Sequence, residues 1–245
     1  MKRNKQQYTF IDLFAGLGGF HIAMQELGCK CVFASELKDD LRKLYEENYP
    51  ETRIEGDITK IAPSDIPPHD ILCAGFPCQP FSQAGKQQGF NDDKQRGNLF
   101  DYICAIVQYH RPKYIFLENV SNLKGHDHGN TWAVIHQRLE DLEYDVPEPA
   151  ILSPHQFGWP QHRKRIYIVA VDQHRGGIGN FKFPSPTNKK CDLRQIIDES
   201  DPNYIHLKQE TRNQLDVWQR FIDETIAHGH EIPRFPIWAM EFGAD

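Results

Sequence analysis

The residue in this sequence best suited to covalent chemistry is Cys78, which stands between two prolines in residues 75–82. Pro77 and Pro80 each fix their own φ angle and restrict the residue before them, so the thiol is held on a stiff loop. The apolar residues 70–74 come directly before this loop and predict a short buried strand. Ligands of open α/β sheets bind beyond the carboxyl ends of such strands. The loop therefore indicates either a nucleophile or a buried structural cysteine, because free cysteines are often buried.

A glycine-rich turn and two acids follow other predicted strands near the start of the chain. Residues 8–14 predict a first strand, residues 15–19 contain three glycines, and residues 20–27 have helical spacing. In this context a glycine run lets the backbone approach a cofactor closely, although a simple tight turn has the same composition. Glu36 ends the second predicted strand 20 residues after Gly16, a spacing at which a carboxylate commonly holds ribose hydroxyls. Asp57 ends the third predicted strand, over residues 54–58, and the three strand ends together predict a nucleoside pocket.

The middle of the chain departs from a dinucleotide-binding pattern, because the cysteine loop takes the place of a second nucleotide half. This favours a nucleoside-bearing donor beside a nucleophile over an NAD-dependent enzyme. Residues 83–98 are long, polar and rich in glycine, which is typical of a lid or a disordered segment. Residues 99–110 predict a helix, residues 112–117 a fifth strand ending at Glu118, and residues 131–142 another helix.

A basic segment precedes the last predicted strand, over residues 166–171. If it is extended, Gln161, Arg163 and Arg165 share one face. Two guanidinium groups and an amide on one face can hold a phosphate or a base edge, although a solvated strand start has the same pattern. Residues 191–198 predict a short helix, and residues 208–227 a helix whose apolar side chains serve packing.

Composition limits the class of protein. With 245 residues, 39% apolar and 25% charged, the chain is expected to form one large α/β domain or a domain with an extension. It has no run of about 18 apolar residues and no apolar signal core at its start, so we expect a cytoplasmic protein without membrane contact. Six cysteines without paired CxxC spacing argue against a zinc site or a disulfide framework. A net charge of −6 argues against a generally basic surface but permits a local basic cleft.

Four of these segments together resemble motifs of the DNA (cytosine-5) methyltransferases. They are residues 12–20, residues 75–82 with their Pro-Cys pair, residues 118–120 (Glu-Asn-Val), and the Gln161-x-Arg163-x-Arg165 pattern. The resemblance implies a Rossmann-like α/β fold, with a mostly parallel sheet and helices on both faces. It also implies S-adenosylmethionine as methyl donor, S-adenosylhomocysteine as product, no metal, and double-stranded DNA as substrate.

The resemblance further assigns roles to single residues. Cys78 is expected to attack carbon 6 of a flipped cytosine, while Glu118 contacts nitrogen 3 and the exocyclic amine. Arg165 is expected to hold the base and Arg163 the neighbouring backbone. The residues expected to line the donor are Phe14, Gly16, Gly18, Glu36, Asp57, Ile58, Pro77 and Leu99. Those expected to contact DNA are Gln79, Ser82, Lys86 and Gln161.

The chain also departs from that family pattern. The arginine-rich motif and the final Gly-Asn-Ser-Val-type motif are not found, and Leu37 stands where an aromatic residue often follows the ribose-binding acid. We therefore predict a catalytic, donor-binding domain over residues 1–190 and an extension over residues 191–245 that could begin a truncated or split target-recognition region. A second subunit or a missing C-terminal part would then carry target recognition. Two alternatives stay open: a fragment or subunit that only binds donor or partner, and methylation of carbon 5 of cytosine in tRNA.

Overall fold

Strands and helices alternate along most of the chain, as expected for an α/β fold. The computed structural model describes residues 7–77, 99–187, 189–202 and 204–232. The strands are β1 (Thr9–Leu13), β2 (Lys30–Ser35), β3 (Ile54–Glu55), β4 (Ile71–Ala74), β5 (Tyr114–Val120), β6 (Tyr144–Asp145), β7 (Ala150–Leu152) and β8 (Arg165–Asp172). The α-helices are α1 (Gly19–Glu26), α2 (Asp39–Asn48), α3 (Leu99–His110), α4 (Asn130–Asp141) and α5 (Gln209–Ala227).

The strands join in one sheet in the order β3-β2-β1-β4-β5-β8-β6, and β7 also pairs with β8. The pairs that link β3, β2, β1, β4 and β5 are all parallel. Strand β8 runs antiparallel to β5, β6 and β7. The expected Rossmann-like fold with a mostly parallel sheet is therefore confirmed, and the first loops of the chain leave the same edge of that sheet.

Helices pack on both faces of the sheet because successive strand residues point to opposite sides. On one face, Phe10 of β1 and Ile71 of β4 pack with Met24 of α1. The neighbouring residues Ile11 and Leu72 face the larger core on the other side. That larger core takes its helical side chains from α3 and α4, namely Phe100, Ile103, Ile106, Val107, Ile135 and Leu139.

Two elements are shorter than the sequence predicts. The predicted strand over residues 54–58 ends at Glu55, because Asp57 accepts a hydrogen bond from the Thr59 backbone N–H and starts a 3₁₀ turn over Ile58–Lys60. The predicted helix over residues 191–198 is only a 3₁₀ turn over Leu193–Gln195, which has no buried side chain to stabilise a longer helix.

The predicted lid over residues 83–98 lies outside the described residues.

The chain divides into two compact units, Met1–Leu193 and Arg194–Asp245. The first contains the whole sheet and helices α1 to α4. The second contains α5, a helix of 19 residues with no fully buried side chain. Within the described part of the chain, no helix is long and apolar enough to cross a membrane.

Candidate functional site

The turn after β1 is built from residues with left-handed backbone angles. Phe14 has φ +58°, Gly16 φ +55° and Gly18 φ +82°. Behind the turn, a Cβ on Gly18 would lie 2.6 Å from Cε2 of Tyr49, whose ring stacks on His21 with centroids 3.6 Å apart. In front of the turn, a Cβ on Gly16 would meet no atom within 4 Å. The turn therefore has aromatic packing on one side and open space for a ligand on the other.

Replacing Gly18 with alanine is expected to destabilise the protein by about 2 kcal/mol, because alanine disfavours the left-handed angle and its methyl group overlaps Tyr49. Urea unfolding followed by circular dichroism measures the change. The matched control is Gly19→Ala: this glycine is the first residue of α1, and a Cβ there meets nothing within 4 Å. Equal unfolding midpoints for the two variants would contradict the packing described for Gly18.

The carboxylate of Glu36 joins the glycine turn to the loop after β2. Its Oε2 accepts a hydrogen bond of 2.9 Å from the Gly16 N–H, and its Oε1 accepts one of 3.0 Å from the Lys38 N–H. The Glu36 N–H donates to the Glu55 carbonyl at 3.0 Å, which connects this loop to the end of β3. A carboxylate offers about four lone-pair sites, so two remain available for the hydroxyls of a ligand.

The other residues predicted to line the donor lie at the ends of neighbouring elements. Asp57 accepts hydrogen bonds from the hydroxyl and backbone N–H of Thr59, and chiefly the hydroxyl bond lowers the pKa of Asp57. The side chain of Ile58 is buried in the larger core. Leu99 is the first residue of α3 and is half-buried, whereas Pro77 is exposed.

A glutamate and an arginine form an ion pair across β5 and β8. The Nε of Arg165 lies 2.8 Å from Oε1 of Glu118, and both side chains are mostly buried. Tyr167 pairs with Glu118 in the strand register, and Arg165 lies two residues away on the same face. Burial raises the pKa of Glu118, and the positive charges of Arg165 and Arg163 offset part of that rise. This carboxyl group is therefore suited to hold a proton beside a bound ligand.

The same strand anchors the start of the loop that leads to the predicted nucleophile. A Cβ on Gly75 would lie 3.5 Å from Oε2 of Glu118, and the Asn119 side chain donates a hydrogen bond of 2.7 Å to the Phe76 carbonyl. Asn119 is only 3% exposed, and its Oδ1 accepts from the Val120 N–H. Four predicted site residues that follow lie outside the described residues, namely Cys78, Gln79, Ser82 and Lys86.

A loop rather than a strand holds the remaining predicted contacts. Strand β8 begins only at Arg165, so strand alternation does not place Gln161 and Arg163 on its face. The buried Ser153 hydroxyl accepts a hydrogen bond of 2.9 Å from the Arg163 N–H. The Gln161 carbonyl accepts one of 3.0 Å from the His155 N–H. Gln161 and Arg163 are both exposed, and the positive charge of Arg163 still offsets part of the rise that burial causes in the pKa of Glu118.

The positioning roles of two residues, Ser153 and Asn119, were not predicted from the sequence. Ser153 forms a capping box with Gln156, and the Ser-x-x-Gln spacing is a sequence signal that could have identified it. Asn119 belongs to the Glu-Asn-Val motif at residues 118–120, but its contact with Phe76 had no local signal, because Phe76 lies 43 residues away in the chain.

Comparison with known proteins identifies one family. The sequence profile described as C-5 cytosine-specific DNA methylase matches residues 8–235. The type II methyltransferase M.HpaII of Haemophilus parainfluenzae is 49% identical over 198 residues, which are 80% of this chain and 54% of that protein. The type II methyltransferase M.HhaI of Haemophilus parahaemolyticus is 46% identical over 188 residues, which are 77% and 56% of the two chains. This chain thus spans little more than half the length of these relatives.

Solved structures show the same fold at lower identity. A DNMT2 mutant from Spodoptera frugiperda superposes with a TM-score of 0.66 at 24% identity, over 86% of this chain and 65% of that one. The Dnmt2 methyltransferase of S. pombe has a TM-score of 0.59 at 20% identity, over 88% and 66% of the two chains. At these identities the likeness concerns the fold alone.

Proposed function

This chain belongs to the C-5 cytosine-specific DNA methylase family, and we propose that it is the catalytic part of an enzyme that methylates carbon 5 of cytosine in double-stranded DNA. One observation carries the proposal: Glu118, paired with Arg165, lies beside Gly75 at the start of the loop that leads to Cys78. Addition to a pyrimidine ring requires a carboxyl group that can hold a proton and a thiol nucleophile, and Cys78 follows shortly after β4 in the sequence. Residues 1–190 are proposed as the catalytic domain and residues 191–245 as an extension toward target recognition.

S-adenosylmethionine is the proposed methyl donor, and the glycine-turn pocket fits it. The open space at Gly16 admits close approach of a ligand to the backbone, and Glu36 keeps free lone pairs for ribose hydroxyls. Residues lining the methionine and ribose would be Phe14, Gly16, Gly18 and Glu36, and those lining the adenine Asp57 and Ile58, with Pro77 and Leu99 completing the wall. When bound, the donor supplies a methyl group on a sulfonium, and S-adenosylhomocysteine remains.

The chain's own residues would activate the cytosine. The Cys78 thiolate adds to carbon 6 while Glu118 gives a proton to nitrogen 3, so that the carbon 4 to carbon 5 bond gains enamine character. Carbon 5 then forms its bond to the methyl group as the bond from that group to the donor sulfur breaks, and the sulfur keeps the electron pair. A solvent water takes the proton from carbon 5, the electrons of that bond form the carbon 5 to carbon 6 double bond, and the Cys78 thiolate departs with the electrons of its bond to carbon 6. Nitrogen 3 returns its proton to Glu118, which restores the ring and the carboxyl group.

Positive charge near the thiol would raise the fraction of thiolate. A free cysteine has a pKa of about 8.5 and is mostly protonated at neutral pH. Arg163 and Arg165 are the proposed source of that charge, and they are also the residues proposed to hold the base and its neighbouring backbone. Because the target atom is hidden in a duplex, the base must flip out at a cost of a few kcal/mol. The proposed DNA contacts are Gln79, Ser82, Lys86 and Gln161.

The test is transfer of tritiated methyl groups from S-adenosylmethionine to cytosine-containing DNA, measured for this chain alone and for this chain mixed with the C-terminal part of M.HpaII. We expect label in DNA with the mixture, and donor binding by calorimetry with either sample. Donor binding without label in any nucleic acid would support a binding-only fragment instead. Label in tRNA but not in DNA would identify an RNA methyltransferase, and the absence of both binding and label would overturn the proposal.

A further inference from the structure

We propose that Arg42, a residue outside every motif discussed above, is a positioning residue for Glu36, the acid proposed to bind the ribose. This inference rests on the proposed donor site. Arg42 lies on the first turn of α2, six residues after Glu36. Its Nη1 donates hydrogen bonds of 2.8 Å to the backbone carbonyls of both Glu36 and Leu37. A single guanidinium thus fixes two successive peptide groups of the loop.

These two bonds complete the fixation of the Glu36 backbone. On its N-terminal side, the Glu36 N–H is already bound to the Glu55 carbonyl at 3.0 Å. On its C-terminal side, Arg42 holds the Glu36 carbonyl and the next one. Because both peptide planes around its Cα are fixed, the Cα–Cβ bond of Glu36 is directed steadily toward Gly16 and Lys38, the amides that its carboxylate accepts from.

Side-chain packing does not hold this loop. Leu37 is 69% exposed, so the side chain at the tip of the loop buries little surface against the protein. Hydrogen bonds from a charged donor to backbone carbonyls are stronger than neutral ones, and they act here where apolar packing is weak. Arg42 thus supports the loop segment between β2 and α2 together with the Glu36 carboxylate, which accepts from the Lys38 N–H.

The arginine itself is well placed for this role. Its Nη2 forms an ion pair with Asp39 on the same helix, and its side chain is 23% exposed. Its guanidinium also lies against the backbone of Gly56, where a Cβ would be 3.4 Å from Nη1. Gly56 directly precedes Asp57, so Arg42 lies next to the segment that leads to the proposed adenine side as well as holding the Glu36 loop. A lysine has one terminal amine and cannot reproduce this planar set of donors.

The first test needs no ligand. In the chain as it stands, Arg42→Met is expected to lower hydrogen-exchange protection of the Gly16 and Lys38 amides about tenfold, because both depend on the Glu36 carboxylate. The Ala15 amide, which donates to the Ser35 backbone carbonyl, serves as internal reference and should keep its protection. The matched control variant is Arg53→Met, since Arg53 also bonds a backbone carbonyl, that of Asp65, and pairs with Glu55.

The second test measures recognition of the ribose. Wild-type chain should bind S-adenosylhomocysteine about tenfold more tightly than its 2′-deoxy analogue, and Arg42→Met should reduce this preference to about twofold. The preference of Arg42→Lys should lie between those of the wild type and Arg42→Met, and that of Arg53→Met should equal that of the wild type. A general loss of stability would weaken the binding of both ligands alike and leave the ratio of their affinities unchanged.

The outcomes separate this inference from the proposed function. Unchanged protection of Gly16 and Lys38 in Arg42→Met, or an unchanged ribose preference, overturns the role of Arg42 even if the donor binds. Reduced protection together with no binding of S-adenosylhomocysteine to the wild type supports the bracing of Glu36 and overturns the donor site.

Discussion

Replacing Cys78 with serine is expected to lower the rate of methyl transfer about 1,000-fold or more, because the hydroxyl of serine is a far weaker nucleophile toward carbon 6 than a thiolate. Carbon 5 of cytosine does not attack a methyl group unaided, so loss of the covalent step removes most of the catalysis rather than a fraction of it. Binding of S-adenosylmethionine should stay within about twofold of the wild type, because the thiol is not among the proposed donor contacts.

The decisive measurement is the covalent adduct itself. DNA containing 5-fluorocytosine cannot lose a proton from carbon 5 after methylation, so elimination is blocked and the enzyme should remain attached. We expect a DNA-linked band on a denaturing gel for the wild type and none for Cys78→Ser. The matched control is Cys191→Ser, which removes an exposed thiol that donates to the His155 carbonyl and should leave adduct and rate unchanged. An adduct that forms in Cys78→Ser but not in Cys191→Ser would transfer the role to the other cysteine.

Replacing Glu118 with glutamine is expected to lower the rate about 100- to 1,000-fold, because glutamine can occupy the same space but cannot hold and release a proton at nitrogen 3. The wild-type rate should fall on the alkaline side as Glu118 loses its proton, and this limb should disappear in the variant. The matched control is Glu55→Gln: Glu55 pairs with the Nε of Arg53 at 2.9 Å, much as Glu118 pairs with Arg165 at 2.8 Å. A Glu118→Gln variant as active as Glu55→Gln would show that Glu118 carries no proton in the reaction.

The Glu118→Gln variant should keep its fold. The raised pKa of Glu118 determines how the difference in stability between wild type and this variant changes with pH. Burial raises the pKa of Glu118, so the folded protein binds this proton more tightly than the unfolded chain does. The resulting stabilisation is fully present below the ordinary glutamate pKa of about 4.3, and it is lost as pH rises through the higher pKa of the folded protein. We therefore expect wild type to gain stability relative to Glu118→Gln as pH is lowered toward that value, as measured by urea unfolding at several pH values. A gap that is constant with pH would contradict the raised pKa.

The Glu118→Gln variant is expected to change the chemistry and leave the fold intact. Asn119 holds the Phe76 carbonyl whichever residue stands at position 118, so the start of the Cys78 loop should remain in place in Glu118→Gln. Loss of rate with an intact fold would then reflect the missing proton. This separation matters because most substitutions also lower stability, and a less stable fold can reduce activity by itself.

Hydrophobic patterns in the sequence predicted the bounds of helices and strands correctly where an element buries one apolar face. The helix predicted over residues 99–110 matches α3 at both ends, and the strand predicted over residues 31–35 lies within β2. The failures occurred where a local polar bond overrides the pattern, as at Asp57, which stops β3 early by accepting from Thr59. The strand predicted over residues 166–171 lies within β8, whereas the basic segment before Arg165 is a loop, because the Ser153 hydroxyl and the His155 amide bond its backbone.

The sequence by itself determined the type of fold, the family and the residues that could do chemistry, because periodicity and motif spacing are properties of neighbouring positions. Only the tertiary structure decided how those residues are held. Asn119 meets the Phe76 carbonyl because β5 lies beside β4, and Glu118 meets Arg165 because β8 returns antiparallel along β5. Arg42 reaches two carbonyls of one loop because α2 starts directly beneath that loop. Such contacts depend on strand order and on the paths of loops in space, and neither can be predicted from the spacing of residues along the chain.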